Sequence, residues 1–495
     1  MARATTLPIF IADSSGRTLQ QQIYDSIRRS ILEGQIAADR RLPSTRTLAS
    51  DLGVSRTTVL LALEHLQAEG YLVAKRGSGT FVATDLPDRS PVTAKHDNGT
   101  RVSRPPFSVR GRALSQSRAP DRRILGPSRA FRLGTPALDL FPQRIWSRIA
   151  RECVRTARPH QLDYSALTGL LPLREAIAEQ VQARGTRCDP SQVHVVTGAQ
   201  HGLDLIFRML LDVGDKAWLE DPGYTGARSA LLAAGAQPVP VPVDAHGMVI
   251  DHRNDDDSVR LAYVTPSHQF PSGVAMSLER RQKLLAWARE SHAWIVEDDY
   301  DCDFRYRAQP LPCLHALDPD GRVIYLGSFS KTLFPALRLG FLIVPSDLSA
   351  GFAAARLASD LHSPVLEQTI LAEFMVRGHY QRHLRRMQAA YAERLGVLQQ
   401  SIDQSGAPLR LRPVHSGLHA VVDVAGVDAT LVHREAAARG IETMPLAAYQ
   451  FGVTKPDNAL LLGFASVKPA LIRVAATQLA RAIDAVASQS LKKLS

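Results

Sequence analysis

The sequence predicts a multidomain chain: a small winged helix-turn-helix at residues 15–84, a basic linker at 85–130, and a large α/β domain at 131–490. Three observations carry that prediction. Near the N-terminus two short amphipathic segments flank a glycine and run into an alternating stretch. From about residue 126, strand-like apolar runs alternate with helical ones. Between the two lies most of the net positive charge. At 495 residues the chain is also longer than one ordinary core encloses.

In "LQQQIYDSIRRSI" (19–31), Leu19, Ile23, Ile27 and Ile31 recur at helical spacing on one face. In "LPSTRTLASDLGVS" (42–55), Ser44 is a candidate N-cap, Leu48, Ala49 and Leu52 face inward, and Gly53 closes the helix. Ser55 then caps "RTTVLLALEHLQAEG", whose buried stripe is Val59, Ala62, Leu63 and Leu66, with Gly70 as the stop. Two short helices around a glycine turn make a helix-turn-helix. "YLVAKRGSGTFVA" (71–83) alternates as a hairpin with "RGSG" at its tip, which adds the wing.

The chain's formal charge of +11 is unevenly placed. Residues 86–130 hold 10 basic and 3 acidic side chains, while the 365 residues after them hold 39 and 37. The linker is rich in Pro, Ser, Gly and Arg and reads as an extended spacer. Its arginines also suit phosphate contacts, through counterion release. Cys153, Cys188, Cys302 and Cys313 form no C-x-x-C pair, so buried free thiols are expected rather than a disulfide or zinc framework. No metal centre is expected. With no run of about 18 apolar residues and no signal-peptide core, the expectation is a soluble cytoplasmic protein without a membrane partner.

Strand candidates in the second domain are "VHVVTG" (193–198), "KAWLEDPG" (216–223), "VRLAYVTPS" (259–267), "AWIVEDDY" (293–300) and "RVIYLGSFSK" (322–331), with a helix at 278–291. Polar groups gather where these strands end, which is where open α/β sheets bind ligands. Lys331 closes one strand in a Ser/Gly setting suited to condensing with an aldehyde cofactor. Such a cofactor needs a phosphate cup, an aromatic lid and an acid for a ring nitrogen. "VTGAQHGL" (196–203) is a glycine turn opening a helix, whose free N–H groups favour phosphate. Tyr224 follows a strand in "EDPGY", and Asp298 in "VEDDYD" is a candidate buried carboxylate.

Residues 15–83 resemble the DNA-binding domain of the GntR family. That resemblance implies that Arg46, Ser55, Arg56, Thr57 and Thr58 contact DNA, with Lys75, Arg76 and Gly77 reaching from the wing. Residues 130–485 resemble fold type I pyridoxal-phosphate (PLP) aminotransferases. The fusion, with "TPSHQFPSG" (265–273) and "EDDYDCDFRY" (297–306), resembles the MocR subgroup of GntR regulators. It implies Lys331 as the internal aldimine lysine, Asp298 as ring-nitrogen partner, Tyr300 near the phenolic oxygen and Tyr224 stacked on the ring. Ala199 and Gln200, through N–H groups, with Ser328, Ser330 and Arg338, would hold the phosphate. Tyr164 matches a tyrosine lent to the neighbouring subunit of a homodimer.

Three departures from the aminotransferase pattern bear on function. Ala199 replaces a serine of the phosphate turn, and Phe270 stands where catalytic relatives carry Asn. "NALLLGFAS" (458–466) lacks the arginine that forks onto a substrate carboxylate, leaving Arg410 or Arg412 as substitutes. The expectation is a transcriptional regulator that binds a double-stranded DNA operator and senses PLP, or a small amine or amino acid, through Lys331. Its targets would be genes of vitamin B6, amine or amino-acid metabolism. An active PLP-dependent aminotransferase carrying a DNA-binding domain is the alternative.

Overall fold

Three side-chain caps set the helices at the N-terminal end of this computed structural model. Thr18 caps α1 (Leu19–Leu32) in a reciprocal box with Gln21. Ser44 accepts from the Thr47 N–H at the start of α2 (Thr45–Leu52), and Ser55 from the Thr58 N–H at the start of α3 (Arg56–Ala68), each at 3.1 Å. Each such cap contributes about 1 kcal/mol. Gly53 ends α2 at φ 62°, the left-handed conformation that glycine adopts freely. The hairpin is β1 (Leu72–Lys75) against β2 (Gly79–Val82), antiparallel, with Leu72 opposite Val82 and Lys75 opposite Gly79. Ile23, Ile27, Leu48, Val59, Leu66, Tyr71 and Val82 close one core. Leu19, expected in the buried stripe, is 46% exposed, because the stripe runs past the core at its first turn.

The described residues are 17–75, 77–87, 107–116, 129–183, 185–250, 258–306, 311–452 and 456–494. They fall into two units, divided at residue 105. Arg76 and most of the linker lie outside them. Within the linker, α4 (Val109–Gln116) packs on a helix of the second unit, so this part is not the extended spacer the composition suggested.

The second unit opens with α5 (Gln143–Thr156) and α6 (Leu171–Gln182). Then come β3 (Val193–Val196), α7 (Ala199–Leu210), β4 (Lys216–Asp221), α8 (Thr225–Ala234), β5 (Gln237–Asp244), β6 (Gly247–Met248), β7 (Val259–Val264), α9 (Leu278–Glu290), β8 (Trp294–Asp299), α10 (Leu314–Leu317), β9 (Val323–Ser328) and β10 (Gly340–Ile343). α11 (Ser346–Ser359), α12 (Val365–Val376) and α13 (His379–Asp403) lead to β11 (Leu409–Leu411), β12 (His419–Val424), α14 (Ala429–Ala438), β13 (Met444–Pro445), β14 (Ala459–Gly463) and α15 (Pro469–Leu494). The helix on which α4 rests is α8.

The eight-stranded sheet has the order β3-β10-β9-β8-β7-β4-β5-β6; β10 and β6 run antiparallel to their neighbours and the rest are parallel. Helices cover both faces, as buried parallel strands require. Trp218 packs with Leu284 of α9, whereas its neighbour Leu219 packs with Leu203 of α7 and Leu231 of α8. A four-stranded antiparallel sheet, β11-β12-β14-β13, completes the unit. β5 escapes a sequence reading because Pro238, Pro240 and Pro242 break the ladder rule for a central strand. They are tolerated because β6 pairs only with Val243 and Asp244, so on that side the proline stretch needs no N–H donor and its Pro242 carbonyl accepts from Val249 N–H at 2.8 Å.

Candidate cofactor site and nucleic-acid interface

Five of the six parallel-running strands, β3, β4, β7, β8 and β9, deliver their polar residues at their carboxyl ends. Register fixes which groups meet. Gly340 of β10 lies opposite both Val196 and Ser328, so the turn after β3 and the loop after β9 share one edge of the sheet. On β8, Asp298 lies opposite Leu326 and Asp299 opposite Gly327.

At the first of these edges, α7 begins at Gly198 (φ 97°) with no side-chain cap, so the N–H groups of Ala199 and Gln200 stand outside the helix ladder. Arg338 donates to the Thr197 carbonyl at 2.9 Å. A Cβ on Gly198 would come within 3.1 Å of its guanidinium, so only glycine lets arginine and turn lie this close. Ser328 Oγ accepts from the Ser330 N–H at 3.2 Å. Free N–H groups, a helix N-terminus, hydroxyls and an arginine are the donor set that suits a phosphate. Ala199 brings a backbone donor to this set but no hydroxyl.

Lys331 Nζ donates to the Gly134 carbonyl at 2.9 Å, and a Cβ on Gly134 would stand 2.6 Å from that nitrogen. Asp298 is 5% exposed; its Oδ2 accepts from the Tyr263 hydroxyl at 2.7 Å, and its buried Oδ1 has no hydrogen-bond partner among the described residues. Burial pushes this carboxyl up to about 7, the charges of Asp299 and Asp301 add to the rise, and the Tyr263 bond and Lys331 oppose it. Glu220 is likewise raised to about 7 by burial, against bonds from Thr265 and Gln269. A buried acid with one orphaned oxygen lacks a cationic donor. A protonated pyridine nitrogen is such a donor, so the residues present fit pyridoxal phosphate.

Tyr300 donates to His268, whose carbonyl and Nδ1 are both 3.0 Å away, and Nδ1 lies 2.9 Å from Asp301 Oδ2. The Tyr224 ring folds over Gly226 and meets Phe270 edge-on at 5.9 Å, with its hydroxyl 3.3 Å from Gln200 Oε1. Phe270 also packs on Tyr300, His419 and Tyr449. His268, Asp301 and His419 hold ligand-type atoms within 4.8 Å of one another. Yet His268 Nδ1 is engaged by Asp301, and His419 Nε2 lies 3.0 Å from the Pro271 carbonyl; burial lowers the His419 pKa to about 3. We read this trio as a hydrogen-bonded support rather than a metal centre.

The structure thus gathers Lys331, Asp298, Tyr300 and Tyr224 around one cluster, with Ala199, Gln200, Ser328, Ser330 and Arg338 at the adjoining cup. Tyr164 is apart from them: it is 80% exposed, its ring against His362. Both candidate substitute arginines already face carboxylates: Arg410 pairs with Asp423 at the surface, and Arg412 with Asp423 and Asp457. Sequence reasoning missed Gly134, Glu220, Tyr263, His268 and Asp301. A signal for Tyr263 existed. It pairs with Val296, which puts it on the same sheet face as Asp298 two residues on.

On the N-terminal unit, Arg46, Ser55, Arg56 and Thr57 are exposed and Thr58 is half-buried. Among the described residues the Arg56 side chain makes one hydrogen bond, a long one to Thr45 Oγ1 at 3.4 Å. Ser55 and Thr58 also bond each other at 2.7 Å, so both hydroxyls serve the helix cap. Lys75 reaches Asp39 at 2.8 Å and lies over the Phe81 ring, and Gly77 takes φ 76° at the tip. Arg41, unanticipated, runs along the wing against Gly79.

Comparison with known proteins agrees with both halves. Residues 19–82 match the family described as bacterial regulatory proteins, gntR family, and residues 135–479 match aminotransferase class I and II. The probable rhizopine catabolism regulatory protein MocR of Rhizobium meliloti is 41% identical over 483 residues, covering 95% of this chain and 94% of the relative. The pyridoxine biosynthesis transcriptional regulator PdxR of Corynebacterium glutamicum is 34% identical, covering 93% and 95%. Among solved structures, the α-aminoadipate aminotransferase LysN of Thermus thermophilus, complexed with N-(5'-phosphopyridoxyl)-L-leucine, is similar at TM-score 0.67 and 28% identity, covering 77% of this chain and 96% of that one. A GntR helix-turn-helix fused to a class I and II aminotransferase domain, with relatives of this kind along almost its whole length, places the chain in the MocR subgroup of the gntR family of bacterial regulators.

Proposed function

We infer that this chain is a PLP-dependent, DNA-binding transcriptional regulator whose second domain senses PLP itself, or a small amine or amino acid, at Lys331. Its targets belong to vitamin B6, amine or amino-acid metabolism. The observation that carries the reading is the partnerless Oδ1 of Asp298, buried beside a lysine and a phosphate cup in a chain that also holds a GntR domain. Pyridoxal phosphate, when bound, supplies an aldehyde carbon for a primary amine and an electron-withdrawing ring.

The chain's own residues do the rest. Arg338, Ser328, Ser330 and the N–H groups of Ala199 and Gln200 would hold the phosphate. Asp298 Oδ1 would accept the ring N–H, which favours the ionised carboxylate. Tyr224 and Phe270 wall off water, and Tyr300, fixed by His268 and Asp301, holds a proton at its oxygen. The Lys331 amine is the group with which an incoming amine competes. With Arg410 and Arg412 engaged elsewhere, a substrate carboxylate has no fork from either, which favours sensing over turnover. Exposed Leu162, Tyr164 and Leu171 form a surface suited to a second copy, so the working particle is a homodimer presenting two DNA readers. No helix among the described residues is long and apolar enough to cross a membrane, which supports a cytoplasmic site of action.

The test is borohydride reduction of the purified protein with PLP, followed by peptide mass mapping. The reading expects the pyridoxyl mass on the peptide containing Lys331 and on no other. Failure to attach any cofactor would remove it.

A further inference from the structure

After the linker, charge is nearly balanced, with 39 basic and 37 acidic residues, yet one surface is strongly one-signed. α5 carries Arg144, Arg148, Arg151 and Arg155 and a single acid, Glu152. Offsets of 4, 7 and 11 residues place the four arginines in an arc of about 60° along roughly 16 Å of helix. The opposite side of α5 is taken: Ile149 and Cys153 are buried and Trp146 packs against the core. The arginines therefore face outward, and all four are exposed.

Neighbouring groups do not neutralise this stripe. Glu152 is held by Arg377 at 2.7 Å, while Arg148 reaches it only at 4.0 Å. Arg144, Arg151 and Arg155 have no ion-pair partner among the described residues. Arg382, exposed in the first turn of α13, extends the patch, whereas Arg377 is paired with Glu152 and Glu373. The His379 imidazole registers this convergence. Burial, then the charges of Arg382, Arg148 and Arg377, hold it below its ordinary pKa.

We propose that this face of the second unit is an additional DNA-contact surface that grips phosphates without reading sequence. The proposal rests on the reading of the chain as a DNA-binding regulator. Guanidinium groups fork onto phosphate oxygens, and a row of them carries no base-edge discrimination by itself. A duplex presents about one charge per 1.7 Å of axis, so the stripe spans several phosphates. A lipid surface fits less well, because a membrane-bound helix needs its apolar face free, and here that face is in the core. The GntR domain on the same chain keeps DNA at high effective concentration around this unit.

The experiment measures binding of a random-sequence 60-bp duplex to full-length protein at several salt concentrations. It compares wild type with a variant carrying Arg144→Gln, Arg148→Gln, Arg151→Gln and Arg155→Gln. The expected result is at least a tenfold loss of affinity at low salt, and a logarithmic salt dependence shallower by about 2 to 4 units, near 0.9 per lost phosphate contact. Arg→Lys replacements at the same four positions should keep most of the slope. Retained cofactor absorbance and an unchanged melting temperature report that the variant is folded. Equal affinity and slope in wild type and the Gln variant overturn the proposal. So does loss confined to phosphatidylserine vesicles with DNA binding intact. If wild type binds no duplex at all, the regulator reading falls with it.

Discussion

The recognition helix and the lysine site offer opposite kinds of surface. On α3 the residues assigned to DNA are consecutive and mostly exposed, and Arg56 has one long hydrogen bond at 3.4 Å. Around Lys331 the working groups come from positions as far apart as Gly134 and Arg338, and the acid among them is buried with an oxygen unpaired. The first arrangement leaves side chains free to follow base edges and phosphates. The second stores an unmet electrostatic demand that one kind of ligand satisfies. The difference teaches that the two surfaces rest on separate cores, so the DNA affinity and the ligand sensing proposed for them should each be open to breaking alone.

The largest effect should come from the buried side. Asp298→Asn keeps the shape but carries no charge to set against a pyridinium, so PLP affinity should fall by about 2–3 kcal/mol, roughly 30- to 160-fold. Absorbance titration measures this, and DNA affinity of the cofactor-free protein should not change. On the exposed side, Arg56→Ala should weaken specific DNA binding by roughly 1–3 kcal/mol and leave cofactor absorbance intact. Operator binding equal to the parent at the same salt would remove Arg56 from the interface.

Ser55 sharpens the comparison, because it caps α3 and is also assigned to DNA. Ser55→Ala should lower the stability of the winged helix by about 1 kcal/mol in thermal melts. Ser55→Asp should preserve the cap and the melt while repelling phosphate. A variant that keeps both stability and DNA binding would leave Ser55 as a cap only.

The smallest effect is on pH. Asp298 and Glu220, raised to about 7 by burial, ionise near 4 in an unfolded chain. The folded protein therefore binds more protons. The stability these groups give is present in full below about pH 4 and is lost as pH rises through about 7. Buried histidines act oppositely but lower on the scale: His194 and His419, depressed to about 4 and 3 by burial, lose stability as pH falls below their ordinary 6.5. Between pH 6.5 and 8 the carboxylates act without them. The melting temperature of cofactor-free protein should fall across that window, and by less in Asp298→Asn. A rise, or an unaltered slope in the variant, would contradict the burial argument.

What could be read in advance follows the same division. Ser44, Ser55, Gly53 and the 71–83 hairpin were legible because caps and turns depend on near neighbours. Lys331 and Asp298 were legible as polar residues at strand ends, and Arg338 through the aminotransferase resemblance. Gly134 was not, because its value lies in a lysine 197 residues away. His268 and Asp301 matter only once β7 and β8 are known to be adjacent. The helix inside the basic linker was masked by its composition, and β5 by its prolines. Tyr164 took its assignment from resemblance alone, and its exposure leaves that role to a second copy of the chain.

The central claim is that the lysine site governs DNA binding without being needed for it. The most direct measurement is operator affinity of full-length wild type and Lys331→Ala, each with and without PLP at fixed salt. The winged helix has its own core and keeps Arg56, so the account predicts equal affinity for the two proteins without PLP, within about twofold. It predicts a PLP-dependent change in wild type alone. Loss of DNA binding by cofactor-free Lys331→Ala, or an identical PLP response in both proteins, would contradict it.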